Sequence, residues 1–207
     1  AIKFQIAKPE LVMTKWAGKA EYQEINTGTE ESQLEMCKKL HLDLSDYYEL
    51  KKYCDVKGVK FLATAFDEPS FKVLNKIGVD IYKIPSGEIN NLPYLRMHCV
   101  ADKEIIISTG MANMEEIEFA IIVLIDGGVK KEKITILHCN TEYPTPMKDV
   151  NLKAMISIQE KTGIKVGYSD HTQGIEVSIA SVALGATCIE KHFTLDRTMA
   201  GPDHVAS

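Results

Sequence analysis

The sequence predicts an α/β fold built on a parallel sheet, and within that class a (β/α)8 barrel. Three observations carry this. Short apolar, β-rich runs alternate with helical patterns of about 10–16 residues, the order that βα units require. From residue 60 onward these runs start roughly 20–32 residues apart, which is the pace of such a barrel. Polar side chains also gather at the strand ends: Lys3, Gln5, Lys83, Ser86, Ser169, His171, Glu190 and His192. In a barrel these ends converge on one mouth, whereas an open sheet spreads them along a line. The doubly wound alternative usually carries a Gly-rich phosphate turn after its first strand. Neither GxGxxG nor GxxxxGK[ST] occurs here.

Each element has its own signal. Ala1–Ile6 opens the chain as a strand. Lys8 to Thr29 then reads as a long irregular excursion, of a length that often serves function. Tyr22 and Gln23 within it are placed to reach the mouth. Ser45 caps a helix running to Gly58, with Leu50, Tyr53 and Cys54 on one face. After the strand Lys60–Phe66, Asp67 starts a helix with Pro69 in its first turn and Gly78 at its end. Strands follow at Asp80–Pro85 and Glu104–Ser108. Asn113 and Glu116 form a capping box for a helix that runs to Gly127 and Gly128. Lys133–Cys139 and Lys165–Tyr168 are the next strands. Gly174 to Gly185 is a helix rich in Ala, Ser and Val, suited to close packing on a sheet, and Thr187–Phe193 is the last strand. Seven strands are one short of eight, and the barrel takes about 250 residues. The first βα unit is therefore expected to be absent, and residues 1–207 to form one partial barrel domain. The chain begins at Ala1 without Met and reads as a piece of something longer.

Composition narrows the function. Of the 207 residues, 45% are hydrophobic and 26% charged, an ordinary globular balance that excludes disordered and fibrous classes. The net charge is −5, from 24 Lys and Arg against 29 Asp and Glu. With no basic excess or patch, nucleic acid is not an expected partner. No run of 18 apolar residues and no signal peptide is present, so no membrane partner is expected either. The five cysteines (Cys37, Cys54, Cys99, Cys139 and Cys188) are odd in number, widely spaced and without a CxxC pair. That argues against a disulfide framework and a zinc knuckle, and for the cytoplasm.

Five constellations carry chemistry. His171 and His192 end two consecutive strands, and neighbouring strands about 4.8 Å apart put such ends within about 5–8 Å. Two neutral imidazoles at that distance can share one divalent metal, with water and substrate oxygens completing an octahedron. The bland alternative is two unrelated, hydrogen-bonded histidines. Lys3 and Lys83 lie inside strands whose outward positions should be apolar, so they point inward or sit at the rim. Two inward cations suit a phosphate or carboxylate; a Schiff-base lysine and a buried pair with Glu88 or Glu190 are the alternatives. Glu190 shares a face with His192 by period-2 alternation, where it can move a proton or act as a counter-ion. Lys191 alternates to the other face. In Cys139-Asn140-Thr141-Glu142-Tyr143-Pro144-Thr145-Pro146, two prolines stiffen the loop that presents Thr141 and Tyr143; a plain rigid turn is the alternative. Ser86-Gly87-Glu88 and Ser108-Thr109-Gly110-Met111 offer hydroxyls and backbone N–H groups to a phosphate.

Taken in order, the motifs resemble the N-acetylneuraminate (sialic acid) synthase family, including its legionaminic acid synthase branch. The matching stretches are Lys3-Phe4-Gln5, 19–23, 31–36, 82–88, 108–112, 138–144, 167–172, 190–196 and 201–204. The resemblance they carry extends over nearly the whole chain. The resemblance implies a (β/α)8 enzyme, a transferase that condenses phosphoenolpyruvate with N-acetylmannosamine to give N-acetylneuraminate and phosphate. The legionaminic acid branch uses 2,4-diacetamido-2,4,6-trideoxymannose instead. It implies a divalent metal, Mn2+ or Mg2+, on His171 and His192. Lys3, Lys83, Ser86, Ser169 and Thr141 match positions that hold phosphoenolpyruvate, with Thr141 where some members carry Asn. Gln5, Glu88, Tyr143 and Asp203 match positions near the sugar, and Glu190, Lys83 and Lys3 are the catalytic candidates. The family's first strand, with an acid/base Glu, and its C-terminal antifreeze-like domain are absent here. A homodimer is implied for the parent. Residues 1–207 by themselves are expected to self-associate or misfold and to lack synthase activity.

Overall fold

The computed structural model describes residues 1–100 and 102–207. Its elements are β1 (Ile2–Ile6), α1 (Pro9–Val12), α2 (Glu21–Thr27), α3 (Gln33–Leu40), α4 (Asp46–Val56), β2 (Phe61–Ala65), α5 (Glu68–Ile77) and β3 (Ile81–Ile84). They continue with α6 (Leu92–Met97), β4 (Glu104–Ser108), α7 (Met114–Asp126), β5 (Ile134–Cys139), α8 (Leu152–Thr162), β6 (Lys165–Asp170), α9 (Glu176–Ala183) and β7 (Ile189–Lys191). All seven expected strands form. They lie in two sheets, β1 with β2, and β3 through β7 in chain order. Sequential order is what a winding βα chain produces; a doubly wound sheet would reverse at a switch point. The expected single run of strands is thus divided, because among the described residues β2 and β3 are not paired. The chain separates into two compact units, Ala1–Lys83 and Ile84–Ser207. No helix is long and apolar enough to cross a membrane among the described residues.

In the first unit, β1 and β2 are parallel, with Lys3 opposite Leu62 and Gln5 opposite Thr64. Every residue of β2 is buried, as befits a parallel strand covered on both faces. Phe4 stacks on Phe61 with ring centroids 5.5 Å apart. The Tyr47 hydroxyl of α4 donates to the Gln5 carbonyl at 2.6 Å. That contact sets the face of α4: Tyr47 and Cys54 are buried and Tyr53 is exposed, so the expected grouping with Tyr53 is corrected. Ser45 sits at the N-cap of α4 without a side-chain cap; Asp46 instead accepts from the Asp43 N–H at 3.1 Å. The excursion after β1 is also not irregular, since it holds α1 and α2. The Ala20 N–H donates to the Gln23 side chain at 2.9 Å, a cap that lacks the usual Ser, Thr, Asp or Asn signal.

Asp67 does cap α5 as expected. Its carboxylate accepts from the Ser70 N–H at 2.8 Å and from the Ser70 hydroxyl at 2.9 Å. It also accepts from the Lys8 N–H at 2.7 Å, tying the exit of β1 to the start of α5. Asp67→Ala should cost about 1–2 kcal/mol, read as a lower urea midpoint with an unchanged slope; an unchanged midpoint would deny the cap its role.

In the second unit, β4 to β7 pair in parallel, with Ser108 opposite Leu137 and Cys139 opposite Ser169. Asn113 and Glu116 close the expected capping box on α7, at 2.9 Å in both directions. Ile117, Ala120, Ile121 and Leu124 form its buried stripe, the spacing of a helix face. On α9 the buried positions are Val177 and Ser181. Ala180 and Ala183 are exposed, so of the small residues expected to pack on the sheet it is Ser181 that is buried and not these alanines. Gly167 allows the close approach of β6 to the chain entering β7: a Cβ there would lie 2.2 Å from the Cys188 carbonyl oxygen. The five cysteines are free.

His98, 1% exposed, donates from Nδ1 to the Tyr94 carbonyl at 2.9 Å. Burial pushes its imidazole from 6.5 to about 4. The folded chain therefore keeps His98 neutral where the unfolded chain protonates it. Stability is intact above pH 6.5 and falls as the pH drops toward 4. At 1.36 kcal/mol per unit that limb carries about 3 kcal/mol. His98→Gln should make the fall shallower in urea melts. It should not flatten it, because burial also lowers His41 and His138. An identical slope would show that His98 is not buried neutral.

Candidate active site

The last rungs of β6 and β7 pair Ser169 with Glu190 and Asp170 with Lys191. The next residue on each strand is a histidine. Side chains alternate between faces along a strand, so Ser169 and His171 share a face with Glu190 and His192. The two rings stand 5.3 Å apart at 66°, as the strand spacing predicted. Ser169 donates from Oγ to Glu190 Oε1 at 2.9 Å. Tyr143 covers both imidazoles, edge-on to His171 at 4.0 Å and tilted to His192 at 5.5 Å.

The loop after β5 holds this arrangement. The Asn140 carbonyl faces His171 Nδ1 at 3.0 Å; a carbonyl can only accept, so the hydrogen is on Nδ1 and the lone pair is on Nε2. The Thr145 N–H donates to the His171 carbonyl at 2.8 Å, and the Thr145 hydroxyl donates to the Glu142 carbonyl at 2.8 Å. The proline-bounded loop therefore positions His171 as well as presenting Tyr143. Thr141 itself is exposed. Sequence reading assigned no role to Asn140 or Thr145, since each acts through a backbone group that residue identity does not disclose.

The opposite face of the same rungs carries an ion pair. Asp170, fully buried, accepts from the Thr172 N–H at 2.9 Å, the Thr172 hydroxyl at 2.7 Å and the Ser178 hydroxyl of α9 at 2.6 Å. Lys191 Nζ lies 3.3 Å from the carboxylate and donates to the Thr172 carbonyl at 2.6 Å. Burial alone would push the carboxyl up; the Ser178 and Thr172 hydrogen bonds, with the Lys191 charge, hold it below the usual carboxylate range. This network was not foreseen, although the alternation that turns Lys191 away from His192 was legible.

Asp203 lies beside His192 and His204. Burial raises its carboxyl against the lowering influence of those two rings. Its Oδ1 is buried with no hydrogen-bond partner, which suits a bound hydroxyl or a cation. A second grouping forms at the ends of β4 and β5 and the turn after β3. A Cβ on Gly110 would lie 2.6 Å from the Ser86 hydroxyl oxygen and 3.2 Å from the Thr141 methyl, so only glycine fits between Ser86 and Thr141. Glu88 accepts from the Asn91 side chain at 2.6 Å, which anchors it at the entry to α6. In the first unit, Lys3 and Gln5 share a face of β1, Lys3 half-buried and Gln5 exposed. Lys83, on β3, is 3% exposed.

The donor set fits a divalent cation in a limited way. Among the described residues there is no cluster of three or more His, Cys, Asp or Glu able to hold a metal. The site offers two imidazoles, and the His171 nitrogen that points away from Asn140 carries its lone pair. A ligand histidine held by a backbone carbonyl through its other nitrogen is the usual supporting arrangement. His171 Nε2 has that arrangement, and with the His192 ring 5.3 Å away it leaves the remaining positions of a divalent cation to water and substrate oxygens.

Known proteins share this sequence and fold. The chain is 53% identical over 206 residues to the N,N'-diacetyllegionaminic acid synthase of Campylobacter jejuni, covering 100% of this chain and 62% of that protein. It is 44% identical to the synthase of the same name from Legionella pneumophila, over 100% of this chain and 59% of that protein. The chain thus spans about three fifths of these relatives. A crystal structure of the N-acetylneuraminic acid synthetase of Leptospira borgpetersenii, in complex with citrate, superposes with a TM-score of 0.79 at 33% identity, over 100% of this chain and 69% of that one. The NeuB family model matches residues 1–207, and the chain belongs to the NeuB family.

Proposed function

We propose that the protein containing this chain condenses phosphoenolpyruvate with an acylated amino-sugar aldehyde, releasing inorganic phosphate and a nonulosonic acid. The sugar is 2,4-diacetamido-2,4,6-trideoxymannose, giving a legionaminic acid. The observation that carries the reading is the pair of imidazoles at the ends of β6 and β7, with the His171 tautomer set by the Asn140 carbonyl, in a chain 53% identical to a diacetyllegionaminic acid synthase. That identity reverses the order expected from the motifs, which put N-acetylmannosamine first. The parent is proposed to complete the (β/α)8 barrel.

In this reading the enol carbon of phosphoenolpyruvate forms a bond to the aldehyde carbon. Water adds at the phosphate-bearing carbon, and phosphate leaves with C–O cleavage. His171 and His192 would hold a divalent cation, which would supply Lewis-acid polarisation of the aldehyde. Lys3, Lys83, Ser86, Thr141 and Ser169 are assigned to phosphoenolpyruvate on the motif match. Two ammonium groups and three hydroxyls suit a ligand with a phosphate and a carboxylate. Gln5, Glu88, Tyr143 and Asp203 are assigned to the sugar. Glu190, held by Ser169 beside the histidines, is the proton-moving group on this face.

The test is a phosphate-release assay on the full-length protein with each sugar. The diacetamido sugar should be preferred in kcat/KM by about 10- to 200-fold, the range that pocket contacts supply. A preference for N-acetylmannosamine would restore the other sugar, and phosphate release with neither would reject the reaction. Borohydride treatment during turnover should trap no adduct; trapping on Lys83 or Lys3 would replace the cation mechanism with a Schiff base.

A further inference from the structure

Asp170 and Lys191 form the last cross-strand pair of β6 and β7, and each immediately precedes one of the two histidines. Among the described residues the β6–β7 ladder ends at this rung. The rung is fastened on both faces: Ser169 to Glu190 at 2.9 Å on the histidine side, and Lys191 to Asp170 at 3.3 Å on the helix side. On the helix side Lys191 also reaches the Thr172 carbonyl at 2.6 Å, so one ammonium grips the residues flanking His171. Ser178 of α9 and the Thr172 turn complete the carboxylate's shell. The pair is well enclosed, with side chains 18% and 0% exposed. With three other donors on it, the buried carboxylate does not need Lys191 for satisfaction alone. Geometry gives the lysine its consequence, since it bridges β7 to the turn carrying His171.

We propose that the Asp170–Lys191 pair is a positioning element that sets the separation of His171 and His192 from behind the sheet. Through that separation it sets the affinity of the two-imidazole site for a divalent cation. The affinity part rests on the proposed function; the separation part does not.

The experiment uses the full-length protein and the variants Lys191→Met, Lys191→Arg and Asp170→Asn/Lys191→Met. Two quantities are read: the nuclear Overhauser contact between the His171 and His192 ring protons, and the Kd for Mn2+ followed by titration. Lys191→Met should lose the ring contact and bind Mn2+ at least about 10-fold more weakly, the size of effect that supporting groups around a metal site carry. Lys191→Arg should keep both. If Lys191→Met fails to fold, the charge-neutral double variant decides, and it should show the same two losses. Retention of the ring contact and the affinity without the Lys191 ammonium would overturn the proposal. Should the wild type bind no Mn2+, the cation reading fails, and the ring contact alone still decides whether the pair positions the histidines.

Discussion

Replacing either His171 or His192 with alanine should lower phosphate release by roughly 10³-fold in the full-length protein. Lewis-acid polarisation of a carbonyl contributes several kcal/mol, and each 1.36 kcal/mol is a factor of ten. With two imidazoles 5.3 Å apart and, among the described residues, no group of three or more His, Cys, Asp or Glu able to hold a metal, neither can be spared. Chelator treatment of the wild type should produce the same loss, and added Mn2+ should restore it. In the alanine variants added Mn2+ should restore little. Undiminished turnover after chelation would remove the cation from the mechanism, and leave the pair as hydrogen-bonded histidines.

Lys83→Met should raise the KM for phosphoenolpyruvate by about 10- to 150-fold and change the KM for the sugar far less. A hydrogen bond to a charged group is worth about 1.5–3 kcal/mol. Lys83 is 3% exposed, so its charge is little screened by solvent. Methionine preserves the length and apolar character of the stem, which separates loss of charge from loss of packing. An unchanged phosphoenolpyruvate KM would move Lys83 from the ligand to the structure of β3.

The strands were legible because predominantly apolar, β-rich runs such as Phe61–Ala65 and Ile134–Leu137 suit the covered strands of a parallel sheet. The helices opened by Asp67 and Asn113 were legible because their caps use the side chains that capping favours. The opening of α2 by Ala20 was not, since its cap comes from Gln23 three residues later. Nor was the face of α4, which the Tyr47 bond to Gln5, 42 residues away, decides. At the site, the approach of His171 to His192 followed from strand spacing alone. The support from Asn140 and Thr145 did not follow, because it runs through main-chain groups common to every residue. The hold on Asp170 did not follow because Ser178 reaches it from a helix eight residues on.

The alternation at the ends of β6 and β7 also bears on how this region can change over time. Groups facing the chemistry and groups fastening the scaffold are interleaved one by one: Ser169, Asp170, His171 on one strand and Glu190, Lys191, His192 on the other. A single-residue insertion or deletion upstream in either strand would exchange the two sets, turning a carboxylate or ammonium toward the imidazoles and a reacting group into the helix layer. The two strand ends and α9 are therefore mechanically one block. A chimera that exchanges β6 between relatives succeeds only if it carries Ser178 and Lys191 along.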